Sequence, residues 1–186
     1  MAKSQSHILG EFLGTFLENA LKPRFSAFAR NENLYFDCAG SRGTRRGNKV
    51  TWPDANGSHH DLDFVLERNG TDSEIGDPAA FIELAWRRYT KHSKNKVQEI
   101  SGAVNPICEK FRFACPVKAA ILCGVFTNTS VEQLRKEGFL ILHISLETFE
   151  RAFREAGIEI HYDETTSEKA FRSINEPGYA VDSTTH

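Results

Sequence analysis

Two carboxylates stand apart from the other acids of this chain because of their surroundings. Glu83 interrupts an apolar run, AAFIELAW (residues 79–86), and five basic side chains follow, Arg87, Arg88, Lys91, Lys94 and Lys96, with no acid among residues 84–97. An anion in a buried strand is costly unless a cation or a close base compensates it. Twenty residues before Glu83, the segment HDLDFVLE sets Asp61 and Asp63 at the start of a second apolar run. Acids on neighbouring strands can share a divalent ion, and concentrated positive charge beside them suits phosphate. The chemistry expected is metal-assisted cleavage of a phosphodiester.

Composition leaves that chemistry open. Residues 147–186 carry nine acids against four Lys or Arg, so residues 1–146 hold 19 basic and 16 acidic side chains behind a net charge of −2. Such an average does not exclude nucleic acid. A second basic block, Arg42, Arg45, Arg46 and Lys49, lies in a Gly-rich stretch. The four cysteines lack the paired spacing of a zinc knuckle and read as small hydrophobes in a reducing compartment. No apolar run approaches the roughly 20 residues that span a bilayer, and the N-terminus lacks a signal-type apolar core, so a cytoplasmic protein with no membrane partner is expected.

The elements that must position the acids follow from periodicity. Leu9, Phe12, Leu13, Phe16, Leu17, Ala20 and Leu21 form the stripe of an opening helix, which Pro23 disturbs. Residues 37–48 read as a mobile basic loop, after which VTW begins a strand and PDANGSHH turns into the strand HDLDFVLE. The strand AAFIELAW follows a polar connection, and Val97, Ile100, Val104, Ile107 and Phe111 mark a second long helix. KAAILCGVF and FLILHIS read as fully buried strands, with SVEQLRKEG a short helix between them and LETFERAFREAG a surface helix ending near Gly157. The expectation is one α/β domain over residues 1–186, with residues 161–186 a polar, acidic C-terminal extension.

The order of helix, three strands, helix, strand, helix and strand, with an acid on the second and third strands, resembles the PD-(D/E)XK superfamily of nucleases. The residues that carry the likeness are Asp63 with Phe64-Val65-Leu66, and Phe81-Ile82 with Glu83-Leu84. The resemblance spans residues 8–145 and implies a restriction-endonuclease-like αβββαβ core, a central mixed sheet flanked by helices. It further implies that Asp63, Glu83 and the main-chain carbonyl of Leu84 hold Mg²⁺, with Mn²⁺ as a substitute. Asp61 shares the strand face of Asp63 and stays open as the ligand or an additional one, and Glu18 could bring a further acid. His59 and His60 are set aside, since a hard cation prefers oxygen. The literal Pro53-Asp54 has no apolar strand after it and is not taken as the motif.

One departure is serious, because Ala85 stands where the family has its lysine. Lys91 is the expected replacement, ahead of Lys94 and Arg87, since a lysine can lose a proton and an arginine cannot. Arg45, Arg46, Arg87, Arg88, Lys94 and Lys96 are the expected DNA contacts, and Trp86 and Tyr89 could stack on bases. The activity implied is a DNA endonuclease of restriction or defence type, acting as a homodimer and open to a larger defence complex. The alternative, prompted by Ala85, is a catalytically silent DNA-binding or scaffold protein of the same fold.

Overall fold

A computed structural model describes residues 5–162 of the chain. Helix α1 (Gln5–Asn31) continues through Pro23. Its buried Leu9, Leu13, Leu17 and Ala29 recur at multiples of four on one face, and packing on both sides of the proline outweighs the lost hydrogen bond. The same helix carries Gly10 and Gly14, each costing about 1 kcal/mol relative to Ala in a helix interior.

Five strands form the central sheet: β1 (Leu34–Cys38), β4 (Phe64–Arg68), β5 (Asp77–Arg87), β6 (Val117–Gly124) and β7 (Phe139–Ser145), ordered β1-β4-β5-β6-β7. β1, β4 and β5 pair antiparallel, whereas β5, β6 and β7 run parallel. The parallel half needs crossovers, supplied by α2 (Ser93–Lys110) and α3 (Asn128–Lys136); α4 (Leu146–Glu155) follows β7. Alternation along β5 divides the core. Phe81 and Ala85 pack with Val97, Ile100 and Val104 of α2. Ile82 faces α1, and Trp86 packs with Leu13 of α1 and Phe149 of α4. The sequence-derived α/β class with a mixed sheet between helices therefore describes the chain. Among the described residues, no helix is long and apolar enough to cross a membrane.

Several local expectations need correction. The strand paired with β4 is Leu34–Cys38, whereas VTW belongs to β2 (Val50–Pro53), which pairs with β3 (His59–Leu62) in a separate two-stranded sheet. HDLDFVLE is consequently not one strand: it leaves one sheet at Leu62 and enters the other at Phe64, with Asp63 as the link. The basic loop after β1 is pinned. Arg42, 5% exposed, bonds both carboxylate oxygens of the fully buried Glu67 at 2.6 and 2.9 Å, and Asp37 at 2.8 Å. FLILHIS is the sheet's last strand, so Leu140 and Leu142 remain exposed, while Phe139 and Ile141 pack on the α2/α3 side. Of the expected polar extension, residues 161 and 162 are held against the domain: Tyr162 is buried and Arg88 donates to its carbonyl oxygen. The rest of the expected C-terminal extension, from residue 163, lies outside the described residues.

Candidate active site

The site lies where two sheets part. β4 pairs with β5 as far as Phe64 opposite Ile82, and the preceding Leu62 is already committed to Val50 of the small hairpin. Beyond Ile82, β5 therefore has no strand neighbour on that side, and Asp63 takes the place of one. Its Oδ2 accepts a 2.7 Å hydrogen bond from the Leu84 main-chain N–H. The Glu83 carboxylate in turn accepts from the Asp63 main-chain N–H. This reciprocal clasp holds two carboxylates together at the open edge of a buried strand. In an extended strand the N–H and C=O of one residue point to the same side, so the Leu84 carbonyl faces the same gap as its N–H.

Charge and burial make this pair unusual. Glu83 is 6% exposed, and its Oε1 is buried without a hydrogen-bond partner. Burial raises its carboxyl pKa, the neighbouring Asp63 raises it further, and Lys96 pulls it back. The Asp63 carboxyl is also raised, chiefly by burial and slightly by Glu18, against the Leu84 N–H and Lys96, which favour the anion. Two steps along β5 from Ala85, the Nε of Arg87 is likewise buried and unpartnered. One unmatched acceptor and one unmatched donor thus sit on the same strand, where a cation and an anionic oxygen would satisfy them.

The clasp opens into a cavity of about 740 Å³ walled by α1, the end of β5 and the first turn of α2. Asp63, Glu18, Tyr89, Lys96, Gly10 and Gly14 are among its lining residues. Lys96, not Lys91, is the lysine that reaches the acids: Lys91 is exposed and lines no part of the cavity. The reason is helical phase, since Lys96 immediately precedes Val97, whose fully buried side chain packs with Ala85. Ala85 is itself a core residue, 3% exposed and packed with Val97, and it also borders the cavity.

The other expected residues fall into separate places. Asp61 is drawn away by Lys49 at 2.5 Å and Thr51 at 2.8 Å, which hold its pKa down. Asp54 accepts from the Asn56 and Ser58 main-chain N–H groups and contacts His60, closing the β2–β3 turn. Arg45 is engaged within the protein, bonding Asp37 at 2.6 Å and the Cys38 and Gly40 carbonyls. Arg88 is also committed: it pairs with Glu150, and its guanidinium lies 4.5 Å from the centre of the Tyr162 ring. Arg46 and Lys94 are exposed, and Arg87 lines the cavity with Glu99 at 3.9 Å from its terminal nitrogen. Trp86 is core, 7% exposed, whereas Tyr89 is partly open.

Among the described residues, no three His, Cys, Asp or Glu side chains gather into a metal-binding group. Two carboxylates and a main-chain carbonyl nonetheless fit Mg²⁺, which uses few protein ligands and keeps several waters. The unpartnered Glu83 Oε1 is the observation that favours such an ion. No protein-family model matches the chain, and neither does any curated protein or solved structure compared with it.

Proposed function

We propose that the protein is a Mg²⁺-dependent nuclease of restriction-endonuclease-like fold that hydrolyses phosphodiester bonds in DNA. The observation that carries this is the clasp: a buried carboxylate with an unsatisfied oxygen, fastened to a second carboxylate at an open strand edge and faced by a lysine. An antiparallel β1-β4-β5 unit followed by parallel β6, with α2 crossing over, supports the fold.

Asp63, Glu83 and the Leu84 carbonyl would hold the ion, which supplies Lewis acidity at the phosphate and a more acidic water. Lys96 takes over the role first given to Lys91. It would orient the attacking water and offset the charge that develops on the phosphate. Arg87 offers its buried Nε–H to a phosphate oxygen. Arg46, Lys91 and Lys94, exposed on the surface, steer the backbone.

Purified protein is expected to cut DNA with Mg²⁺ or Mn²⁺, and Glu83→Ala to remove cleavage while retaining binding. Absence of metal-dependent cleavage on single-stranded DNA as well as on plasmid, phage and modified duplex DNAs would refute the proposal. Ala85 favours a second reading, a scaffold that binds DNA without cutting it. Salt-sensitive binding with no cleavage under either metal is its signature. The same preparations report the dimer through sedimentation equilibrium, with a monomer at working concentration excluding it.

A further inference from the structure

Gly10 and Gly14 lie one turn apart on α1 and both line the cavity. A Cβ on either would meet nothing within 4 Å, so neither glycine is there to let another part of the chain pack closely. The helix accepts two poor helix formers, and the result is extra room beside the paired acids. Asp63 and Arg87 line the same room, and the buried Nε of Arg87 has no hydrogen-bond partner, so a ligand in this cleft would satisfy it.

The cavity's size and charge narrow the kind of ligand. At about 740 Å³ it suits a small guest on the order of one or two nucleotides, and helices wall it on two sides. Glu11, Glu18, Glu99 and Asp63 line it alongside Arg87, Arg88 and Lys96, so its charge is mixed and the interior lacks the uniformly basic surface that a duplex, with its dense phosphates, requires. Tyr89 adds an aromatic wall, and a base can stack on it only when it is free of its complement.

Resting on the nuclease proposal, we infer that the substrate reaches the acids as an unpaired strand, a single strand or an unpaired arm of a duplex. A sugar or base passes along the bare backbone face of α1 at Gly10 and Gly14. These two glycines act as specificity-determining positions rather than as catalytic residues.

The test uses the full chain and three labelled DNAs: an oligothymidine, a blunt mixed-sequence duplex, and that duplex with an unpaired arm. Binding is followed by anisotropy in EDTA, and cleavage by gel with Mg²⁺. The single strand and the arm should be bound and cut at least ten-fold better than the blunt duplex. Gly14→Leu should weaken single-strand binding at least ten-fold, while its Tm holds or rises and the Mg²⁺-induced rise in Tm persists. Gly10→Leu is the second variant should Gly14→Leu not fold. Equal or better action on the blunt duplex overturns the inference, as does a folded leucine variant that binds single strands like wild type. If no DNA is cut, the nuclease proposal fails, and anisotropy still decides the inference: a single-strand preference lost in the leucine variants upholds it, and no preference overturns it. If the blunt duplex is cut freely and the leucine variants are indifferent, the inference alone falls.

Discussion

Removing the charge of Glu83 should stabilise the metal-free protein, and only above a definable pH. Burial and the adjacent Asp63 push the Glu83 carboxyl from 4.5 to about 8. The folded state therefore holds a proton that the unfolded state releases, and stability falls as pH rises between those values. At about 1.4 kcal/mol per pKa unit, the shift corresponds to roughly 5 kcal/mol above pH 8 if Glu83 carried it alone. Asp63 shares the strain, and relaxation around the pair lowers the cost, so about 2 kcal/mol is the effect to expect for Glu83→Gln. For a chain of this size that is roughly 4–8 °C in Tm. Melting wild type and Glu83→Gln in EDTA at pH 5, 7 and 9 isolates the term, because other carboxylates titrate in both proteins and cancel in the difference. The variant should match wild type near pH 5 and exceed it increasingly toward pH 9. Added Mg²⁺ at 100 times its dissociation constant should return about 2.7 kcal/mol to wild type. A Tm difference that is constant with pH, or a variant less stable at pH 9, refutes the assignment of Glu83 as a strained buried acid.

Lys96→Ala should lower single-turnover cleavage at least 100-fold with little change in DNA affinity, whereas Lys91→Ala should weaken binding modestly and leave the single-turnover rate at saturating DNA unchanged; the reverse ranking, measured by quench-flow and anisotropy, would return the role to Lys91. Lys94→Ala should weaken binding and reduce the dependence of log K on log salt by roughly 0.7 on single strands or 0.9 on duplex, read from a salt titration. Arg42→Ala should cost about 3–5 kcal/mol in urea unfolding, because it leaves Glu67 buried without its cation. A loss below about 1 kcal/mol would mean that this part of the chain contributes little to the fold.

Elements with a strong period were legible in the chain, and those that depend on distant partners were not. The stripe Leu9, Leu13, Leu17 and the alternation of strand and helix after Glu83 express local burial, and the structure follows them. Leu34–Cys38 gave no comparable signal. Its Asp37 is buried only because Arg42 and Arg45 fold back onto it, pairs that cannot be read from spacing alone. The split of HDLDFVLE is similar. Apolar residues continue on both sides of Asp63, yet Leu62 pairs with Val50 and Phe64 with Ile82, so one apolar run serves two sheets. Parity along a supposed single strand tied Asp61 to Asp63, and the break at Asp63 separates them.

The substitute for the missing lysine had a signal that went unused. Val97, Ile100, Val104 and Ile107 set the buried direction of α2. At 100° per residue, Lys96 lies about 60° from the centre of that stripe and Lys94 about 100° from it, so helical phase already ranks Lys96 nearer the sheet. Lys91 precedes the helix altogether, in the short turn Thr90–His92, where no helical phase directs it inward. The exchange also has a packing logic. With alanine at position 85, Val97 can close over β5 and complete the core, and the helix that brings Val97 down carries Lys96 beside it to Asp63 and Glu83. Restoring the strand lysine by Ala85→Lys should therefore not rescue Lys96→Ala. The new side chain would displace Val97 and bury a second cation, and the double variant should melt well below either parent. If instead the double variant regains cleavage at unchanged Tm, the charge can be carried from the strand and the core tolerates it, contrary to this account of why Ala85 and Lys96 occur together.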